Sequence, residues 1–303
     1  MIGRIVEIAS DNRYLSVSRG FLVVKDTSDE KKQLGKIPLD EIAALIANSN
    51  GMSYSNNLLV ALAERGTPFV LCKSNHSTVG ILWPIDGHHL QAKRFDAQIA
   101  ASLPLRKRLW GGIVRSKLTQ QESVLKCAGV TPHLLSKLRA KVRSGDPENI
   151  EAQGARYYWQ ALFGKQFRRD RARPGINSVL NYGYTVYRAA TARAVIAAGL
   201  HPTLGIHHKN EGNPMRLVDD LMEPFRPIID ILTWRLAQKE QCEITPEIKT
   251  HLVKSLYCDM ETKQGVGPVM NCIHELSNSL ANVYLGKQTQ LALPATMPVL
   301  EDY

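Results

Sequence analysis

Apolar and polar residues alternate in short runs over residues 1–86. Alternation with a period of two is typical of β-strands that bury one face. A single amphipathic helix, Asn56–Arg65, interrupts the runs, and Gly66 ends it. The pattern therefore predicts a small β-rich N-terminal domain. The expected strands are Arg4–Ala9, Tyr14–Ser18, Phe21–Lys25, Gln33–Ile37, Pro68–Cys72 and Thr78–Trp83.

From Gln91 onward the apolar period changes to about 3.6 residues, which indicates amphipathic helices. Asp146-Pro147 reads as an N-cap followed by proline at the first helical position. Pro224 and Pro227 predict an interruption just after an acidic cluster. The predicted helices are Gln91–Ser102, Pro104–Cys127, Pro132–Arg143, Pro147–Phe163, Asn177–Ala198, Met215–Ala237, Pro246–Tyr257 and Val269–Leu285.

The change of period predicts a multidomain α+β protein. Its expected parts are a β-rich domain (1–86), a linker (87–90), an α-helical domain (91–290) and a loosely held C-terminal tail (291–303). No apolar run approaches the ~18 residues of a membrane span, and the start does not resemble a signal peptide. We therefore expect a cytoplasmic protein with no membrane partner.

The chain is strongly basic, with 38 Lys and Arg against 28 Asp and Glu among its 303 residues. Such an excess favours a polyanionic partner, of which nucleic acid is the first candidate. One basic run, KQFRRDRAR, lies between Gly164 and Pro174 and is expected to form a loop. Its basic residues are Lys165, Arg168, Arg169, Arg171 and Arg173.

Further basic residues cluster elsewhere, and each cluster taken alone could equally be a solvated face. Together with the net charge of +10 they favour nucleic-acid binding. They are Lys93, Arg94, Arg106, Lys107, Arg108, Arg115 and Lys117, and then Lys137, Arg139, Lys141 and Arg143.

Other chemistry is not indicated. The sequence contains no GxxxxGK[ST] phosphate loop, so nucleotide hydrolysis is not expected. The five cysteines are widely spaced and form no CxxC pair. This argues against a zinc knuckle and predicts buried thiols in a reducing compartment.

Candidate ligands for a metal concentrate in residues 204–230. Adjacent His207 and His208 are followed by Asp219, Asp220 and Glu223. On a helix, carboxylates three or four residues apart share a face, and their repulsion favours a cation between them. Imidazole and carboxylate ligands suit a divalent metal. The alternative is an acidic solvated face beside a core histidine.

A further carboxylate, Glu151, falls on the predicted buried stripe of the Pro147 helix, together with residues 155, 158 and 162. A buried carboxylate is costly unless it is paired or bound to a metal. Small residues nearby, including Gly154, would let another helix approach closely. The alternative is a glutamate that merely favours the positive end of the helix dipole.

Three segments of the chain resemble the CRISPR adaptation integrase family. They are IEAQGARYYW around Glu151, NSVLNYGYTVYR (177–188), and LGIHH with LVDDLMEPFRPIID (within 204–230). The resemblance covers most of the chain and implies an N-terminal β-sandwich followed by an α-helical catalytic domain. The GIHH form and the DLMEPFRP run are similar to members from type II systems.

The resemblance also implies the metal ligands. Carried to the matching positions, they are Glu151, His208 (three after Gly205) and Glu223. Asp220 matches another acidic position near the site. His207 departs from the family pattern, because that position is usually apolar. Asp220 and His207 are therefore expected to be supporting residues.

The implied activity is that of a metal-dependent DNA endonuclease and integrase with Mg²⁺ or Mn²⁺ as cofactor. It would insert new spacers by attack of a donor 3′-hydroxyl on a phosphodiester of the repeat array. The implied partners are double-stranded donor DNA and the repeat array, a second copy in a homodimer, and a small second adaptation protein in a heterohexamer. Two alternatives stay open: a related transposon-type integrase, and a non-catalytic DNA-binding scaffold.

Overall fold

A computed structural model describes residues 4–28, 32–73, 78–82, 84, 88–262 and 265–300. The chain divides into two compact units, residues 1–89 and 90–303. Strands dominate the first unit and helices the second, which confirms the predicted α+β organisation. The predicted linker at 87–90 begins at a residue outside the described ranges.

The N-terminal unit contains eight described strands and one helix. They are β1 (Arg4–Ile8), β2 (Arg13–Ser18), β3 (Phe21–Asp26), β4 (Gln33–Pro38), β5 (Ile42–Ala47), β6 (Ser53–Tyr54), α1 (Asn56–Glu64), β7 (Phe69–Cys72) and β8 (Thr78–Leu82).

These strands form two four-stranded sheets, β1-β5-β7-β8 and β4-β3-β2-β6. In the first sheet β1, β5 and β7 are parallel and β8 is antiparallel. Every residue of β5 is buried, as expected for a central strand covered on both faces. Both sheets and α1 contribute to one apolar core, which includes Leu15, Leu45, Leu58 and Phe69. The unit is thus a small β-sandwich closed by a helix.

The C-terminal unit contains nine described helices and a hairpin. The elements are α2 (Gln91–Ile99), α3 (Leu103–Cys127), α4 (His133–Lys141), α5 (Ile150–Phe163), α6 (Ile176–Ala197), α7 (Arg216–Met222), α8 (Arg226–Gln238), α9 (Pro246–Lys254), β9 (Asp259–Thr262), β10 (Gly265–Pro268) and α10 (Val269–Tyr284). Single 3₁₀ turns at Glu223–Phe225 and Ser255–Tyr257 follow α7 and α9. The antiparallel β9–β10 hairpin is an element that periodicity did not predict.

The start of α5 differs from the prediction. The helix begins at Ile150 rather than Pro147, because Asp146 and Asn149 both adopt left-handed backbone with φ of 49° and 52°. Asp146 still caps the helix from a distance. Its two carboxylate oxygens accept the backbone N–H groups of Ile150 and Glu151, each at 2.9 Å.

The C-terminal segment is held more firmly than the sequence suggests. The Ala292 N–H donates to Ser279 Oγ at 2.9 Å, and the Ala295 N–H donates to the carbonyl of Glu261 at 3.0 Å. The prediction of a loosely held tail is therefore wrong for this part, because backbone hydrogen bonds tie it to α10 and β9. Residues 301–303 lie outside the described ranges.

Two glycines set the spacing between neighbouring helices of the C-terminal unit. A Cβ on Gly154 of α5 would lie 2.5 Å from Leu118 Cδ2 of α3, and a Cβ on Gly183 of α6 would lie 2.5 Å from Ile229 Cγ2 of α8. Each glycine therefore permits a close helix–helix approach, and a larger residue there would force the facing side chain to move. The expectation that Gly154 admits a neighbouring helix is confirmed.

The structure also bears on the predictions about membrane spans and about the cysteines. Within the described ranges no helix combines the length and the apolar character that a membrane span requires. Cys272 is buried, but Cys127 is exposed at the end of α3, so the prediction of buried thiols is wrong for Cys127.

Candidate active site

A buried lysine lies between two of the predicted ligands. Lys117 of α3 pairs with Glu151 of α5, and its Nζ lies 2.6 Å from Glu223 Oε2 in the 3₁₀ turn after α7. The Lys117 and Glu223 side chains are each only 9% exposed. The close approach at Gly154 and Leu118 explains the first pairing, since Lys117 precedes Leu118 in the chain. Glu151 and Glu223, 72 positions apart in the sequence, therefore converge on one cation.

Two neighbouring cations hold Glu223 in its ionised form. Burial alone would raise its pKa, but the charges of Arg226 and Lys117 outweigh burial and lower the pKa to about 2. Arg226 follows one turn later, with its Nε 2.9 Å from Glu223 Oε1. Glu223 Oε2 lies 2.6 Å from Lys117 Nζ but has no hydrogen bond of good geometry in the described structure.

His208 is oriented by Asp220, which is completely buried on α7. The His208 ring nitrogen Nδ1 lies 2.6 Å from Asp220 Oδ1. The same carboxylate accepts the backbone N–H groups of Ile206 at 2.6 Å and His207 at 3.0 Å. The hydrogen bond to Asp220 raises the pKa of His208. One carboxylate thus shapes the whole turn and leaves Nε2 as the histidine nitrogen that it does not engage.

His207 faces another partner. Its ring stacks on the indole of Trp110 from α3, with centroids 4.2 Å apart and planes 1° from parallel. Burial lowers the pKa of His207, which favours the neutral ring at neutral pH. The structure therefore places His207 as a packing anchor on Trp110, beside His208.

Asp219 is also held away from the carboxylate cluster. It accepts two hydrogen bonds from the Arg188 guanidinium, at 2.7 and 3.0 Å, and one from Asn213 Nδ2 at 2.7 Å. This fork fixes α6 to α7, and Asn213 ties the preceding loop to the same carboxylate.

A second buried network lies behind Arg226. The Asp230 carboxyl is hydrogen-bonded to the hydroxyls of Tyr158, at 3.0 Å, and of Tyr184. Arg226 stacks over the Tyr184 ring, 4.7 Å from its centroid. Burial raises the pKa of Asp230 to about 7. The chain Glu223–Arg226–Tyr184–Asp230 therefore connects the candidate site to the core of the helical unit.

The predicted basic loop is a loop between α5 and α6. Lys165, Arg168, Arg171 and Arg173 are exposed. Arg169 points inward, donating to Asn177 Oδ1 at 2.9 Å and Asn181 Oδ1 at 2.7 Å. Arg169 is thus a structural residue of the loop, while the other four have exposed side chains.

The prediction that the basic residues between Lys93 and Lys117 bind DNA is wrong for three of them. Lys117 is buried between carboxylates, and the guanidinium of Arg94 donates to the carbonyl of Ala198 at 2.7 Å. Arg115 donates to the carbonyl of Val142 at 3.0 Å. These three cations satisfy internal partners, because their helical positions face other elements.

Sequence reasoning missed the roles of Lys117, Arg226 and Trp110. A signal existed for Lys117, because it lies between Val114 and Leu118, both fully buried. A lysine on an apolar stripe needs buried counter-charges. No comparable pattern marked Trp110 as the partner of His207.

Whether the cluster suits a divalent ion can be judged from its own atoms. Among the described residues no three His, Cys, Asp or Glu side chains are close enough to enclose a metal, and Lys117 stands between two of the predicted ligands. Yet an ammonium already marks a position where a cation is stabilised. Glu223 Oε2 lacks a hydrogen bond, and His208 is backed by a carboxylate as metal-binding histidines usually are. Carboxylate and imidazole are donor types that Mg²⁺ and Mn²⁺ accept, so the residues present suit such an ion in kind.

The fold and the site together define a class: a β-sandwich unit followed by a helical unit that carries a carboxylate-backed histidine, a buried glutamate and a half-buried one. The profile of the family described as "CRISPR associated protein Cas1" matches residues 6–256. The chain belongs to this family.

Curated relatives agree with that assignment. The chain is 35% identical over 292 residues to the CRISPR-associated endonuclease Cas1 of Neisseria meningitidis serogroup C (strain 8013), which covers 95% of this chain and 94% of the relative. It is 25% identical to a CRISPR-associated endonuclease Cas1 of Pyrobaculum aerophilum, over 78% of this chain and 84% of the relative.

Solved structures share the fold at lower identity. A casposase bound to its integration product superposes with a TM-score of 0.80 at 18% identity, covering 99% of this chain and 96% of that chain. A Cas1 protein from Thermotoga maritima gives a TM-score of 0.71 at 15% identity, covering 95% of this chain and 99% of the other. A Cas6-RT-Cas1–Cas2 complex gives 0.76 at 19% identity, covering 96% of this chain but 36% of that one.

Proposed function

We propose that the protein is a metal-dependent DNA endonuclease and integrase of CRISPR adaptation, with Glu151, His208 and Glu223 as the metal ligands. The observation that carries the proposal is the convergence of Glu151 and Glu223 on one buried cation position. The name of the Neisseria relative, an endonuclease similar over nearly its whole length, supports the enzyme class.

The cofactor we propose is Mg²⁺ or Mn²⁺. When bound, such an ion would polarise a phosphodiester and stabilise the charge that develops on its oxygens. The protein's contribution is to hold two carboxylates and one imidazole ready, with the imidazole oriented by Asp220. Arg226 keeps Glu223 ionised, so this ligand is available throughout the neutral range.

The proposed reaction is the attack of a donor 3′-hydroxyl on a phosphodiester of the repeat array. The new ester bond forms as the old one breaks, and the proton of the attacking hydroxyl is balanced by the one gained by the leaving hydroxyl. Because one phosphodiester replaces another, no nucleotide hydrolysis is needed. The exposed cations Lys165, Arg168, Arg171 and Arg173 would neutralise phosphates and position DNA without reading its sequence.

We further propose three partners: double-stranded DNA, a second copy of the chain, and a small second adaptation protein. The casposase structure contains an integration product, and another similar structure is a Cas1–Cas2 complex, which supports the first and third partners. Exposed apolar residues on the edge strands β4 and β8, namely Leu34, Val79 and Leu82, support dimerisation through the N-terminal unit. With this role we propose a cytoplasmic location.

Strand transfer into a supercoiled repeat plasmid tests the proposal. We expect Glu151→Ala, His208→Ala and Glu223→Ala each to abolish integration while DNA affinity persists. Glu148→Ala is the matched control, because Glu148 is exposed, lies just before α5 and pairs with Arg143. Integration at the wild-type rate by any of the three variants contradicts that residue's role.

The same assay separates the alternatives. A non-catalytic scaffold would give no integration with the wild-type protein under any metal condition. A transposon-type integrase, suggested by the casposase similarity, would integrate without preference for the repeat. Equal insertion into plasmids with and without a repeat would favour that alternative.

A further inference from the structure

Lys117 is the one member of the described site cluster that the proposed chemistry leaves unused. Its ammonium contacts carboxylates from two separate elements, α5 and the turn after α7. Its stem emerges between Val114 and Leu118, neither of which has any exposed surface. A buried ammonium is stable only with counter-charges close by. The lysine and the two glutamates therefore depend on one another in the metal-free protein.

Charges of both signs meet in the cluster. Glu151 and Glu223 contribute two negative charges that Lys117 and Arg226 offset, and Asp220 pairs with His208 beside them. A divalent cation added beside Lys117 would raise the charge of this buried place by two. Replacing the ammonium by the divalent ion changes the sum by one charge only. Charge repulsion therefore favours exchange over coexistence.

Of the two cations, Lys117 is the one that can leave. Its Nζ donates a hydrogen bond to Glu151 and lies 2.6 Å from Glu223 Oε2 in poor hydrogen-bond orientation, so its departure breaks one hydrogen bond. A flexible four-carbon stem can move a lysine ammonium without moving the helix that carries it. Arg226 is fixed, because its guanidinium also stacks on the Tyr184 ring.

We propose that the Lys117 ammonium is a built-in occupant of the cation position, which keeps Glu151 and Glu223 together until a divalent ion displaces it. The inference rests on the proposed function, since it requires the metal site. It assigns Lys117 as a positioning residue of the metal-free state, with a role in binding that can be measured without any DNA reaction.

The first test uses the wild-type chain, so it does not depend on a variant that folds. Lysines are labelled with an amine-acylating reagent with and without saturating Mg²⁺, and the labelling rate of each lysine is measured by mass spectrometry. We expect Mg²⁺ to accelerate labelling of Lys117 severalfold, because the displaced ammonium becomes exposed. Lys126, which is exposed on the same helix, is the internal control and should not change. An unchanged or slower rate at Lys117 overturns the inference.

The second test measures Mn²⁺ affinity by electron paramagnetic resonance for wild type, Lys117→Met and Lys126→Met. Without its competitor the site should bind Mn²⁺ about tenfold or more tightly in Lys117→Met. The melting temperature of Lys117→Met should fall without metal and recover with Mn²⁺, since the ion replaces the missing charge. Lys126→Met should match wild type in both measurements.

The outcomes separate the two hypotheses. Equal or weaker Mn²⁺ binding by Lys117→Met overturns the displacement of Lys117, while the metal site itself stands. Absence of Mn²⁺ binding by every variant overturns the metal site and the inference together.

Discussion

The Nδ1 atom of His208 lies 2.6 Å from Oδ1 of Asp220, a carboxylate with no exposed surface. The same side chain accepts the backbone N–H groups of Ile206 and His207. Asp220 therefore fixes both the direction of the imidazole and the path of the backbone that carries it. Its negative charge favours the ring tautomer with a proton on Nδ1, which leaves Nε2 with a lone pair for a ligand.

We expect Asp220→Asn to lower Mn²⁺ affinity about 10- to 100-fold, the range found for loss of a partner that orients a metal-binding histidine. The free energy of unfolding should also fall by about 1–3 kcal/mol, because the charged acceptor of several buried N–H groups is lost. Asp219→Asn is the matched control. It breaks the pairing with Arg188, so it should cost stability but leave Mn²⁺ affinity unchanged. Equal losses of Mn²⁺ affinity in the two variants would contradict this role of Asp220.

Gly205 should tolerate no side chain. A Cβ there would lie 2.9 Å from the carbonyl oxygen of His208 and 3.0 Å from Asp220 Oδ2. Because one neighbour is backbone, Gly205→Ala must displace the turn, and we expect at least a tenfold loss of integration at a cost of about 1–3 kcal/mol in stability. Gly212→Ala in the same segment meets only Asn210 Oδ1, at 3.5 Å, and should behave as wild type. Plasmid integration and chemical unfolding are measured for both variants. Full activity of Gly205→Ala would show that the turn can accommodate a side chain despite these contacts.

Asp230 should make stability fall as the pH rises. Burial raises its pKa from the usual 3.8 to about 7, so the folded protein binds this proton more tightly than the unfolded chain. The contribution of this proton to the free energy of unfolding is complete below about pH 4 and is lost as the pH rises through about 7. The loss amounts to a few kcal/mol at most.

The free energy of unfolding in urea is measured at about pH 5 and about pH 8 for wild type and for Asp230→Asn, whose side chain cannot titrate. Wild type should lose more stability than the variant between the two conditions. Other titrating groups, including His208, are common to both proteins and cancel in the comparison. Parallel losses would mean that Asp230 does not take up its proton in this range.

The exposed part of the basic loop should set the salt dependence of DNA binding. We expect the double substitution of Arg171→Gln and Arg173→Gln to reduce the slope of log affinity against log salt by roughly two phosphate equivalents. Arg169→Gln should instead lower the melting temperature, because it removes the hydrogen bonds to Asn177 and Asn181. Fluorescence anisotropy over a salt series gives the slopes. A slope equal to that of wild type in the double variant would place the loop away from DNA.

Periodicity predicted long elements better than their ends. The helices α3, α6 and α10 lie within one or two residues of the predicted ranges, because each carries several turns of apolar stripe. The predicted start of α5 is wrong, since the pair Asp146-Pro147 does not reveal the left-handed backbone at Asp146 and Asn149 that delays the helix. The β9–β10 hairpin escaped prediction because its four-residue strands are too short for a period to show.

The site was predictable in part. The resemblance pointed to Glu151 and Glu223, and the structure brings them to one cation. The role of Asp220 could not be read from spacing, because its hydrogen bonds go to backbone groups of a turn 12 to 14 residues upstream. Lys117 was counted as a surface charge, since one-dimensional patterns do not show which buried side chains face each other.

The most direct test of the account is a crystal of the protein grown or soaked with Mn²⁺ and measured at the manganese absorption edge. We expect one anomalous peak bounded by a carboxylate oxygen of Glu151, Nε2 of His208 and a carboxylate oxygen of Glu223, with the Lys117 ammonium displaced from its position between the glutamates. A peak elsewhere, or crystals saturated with Mn²⁺ in which Lys117 still bridges the two carboxylates without any metal at the site, would contradict it.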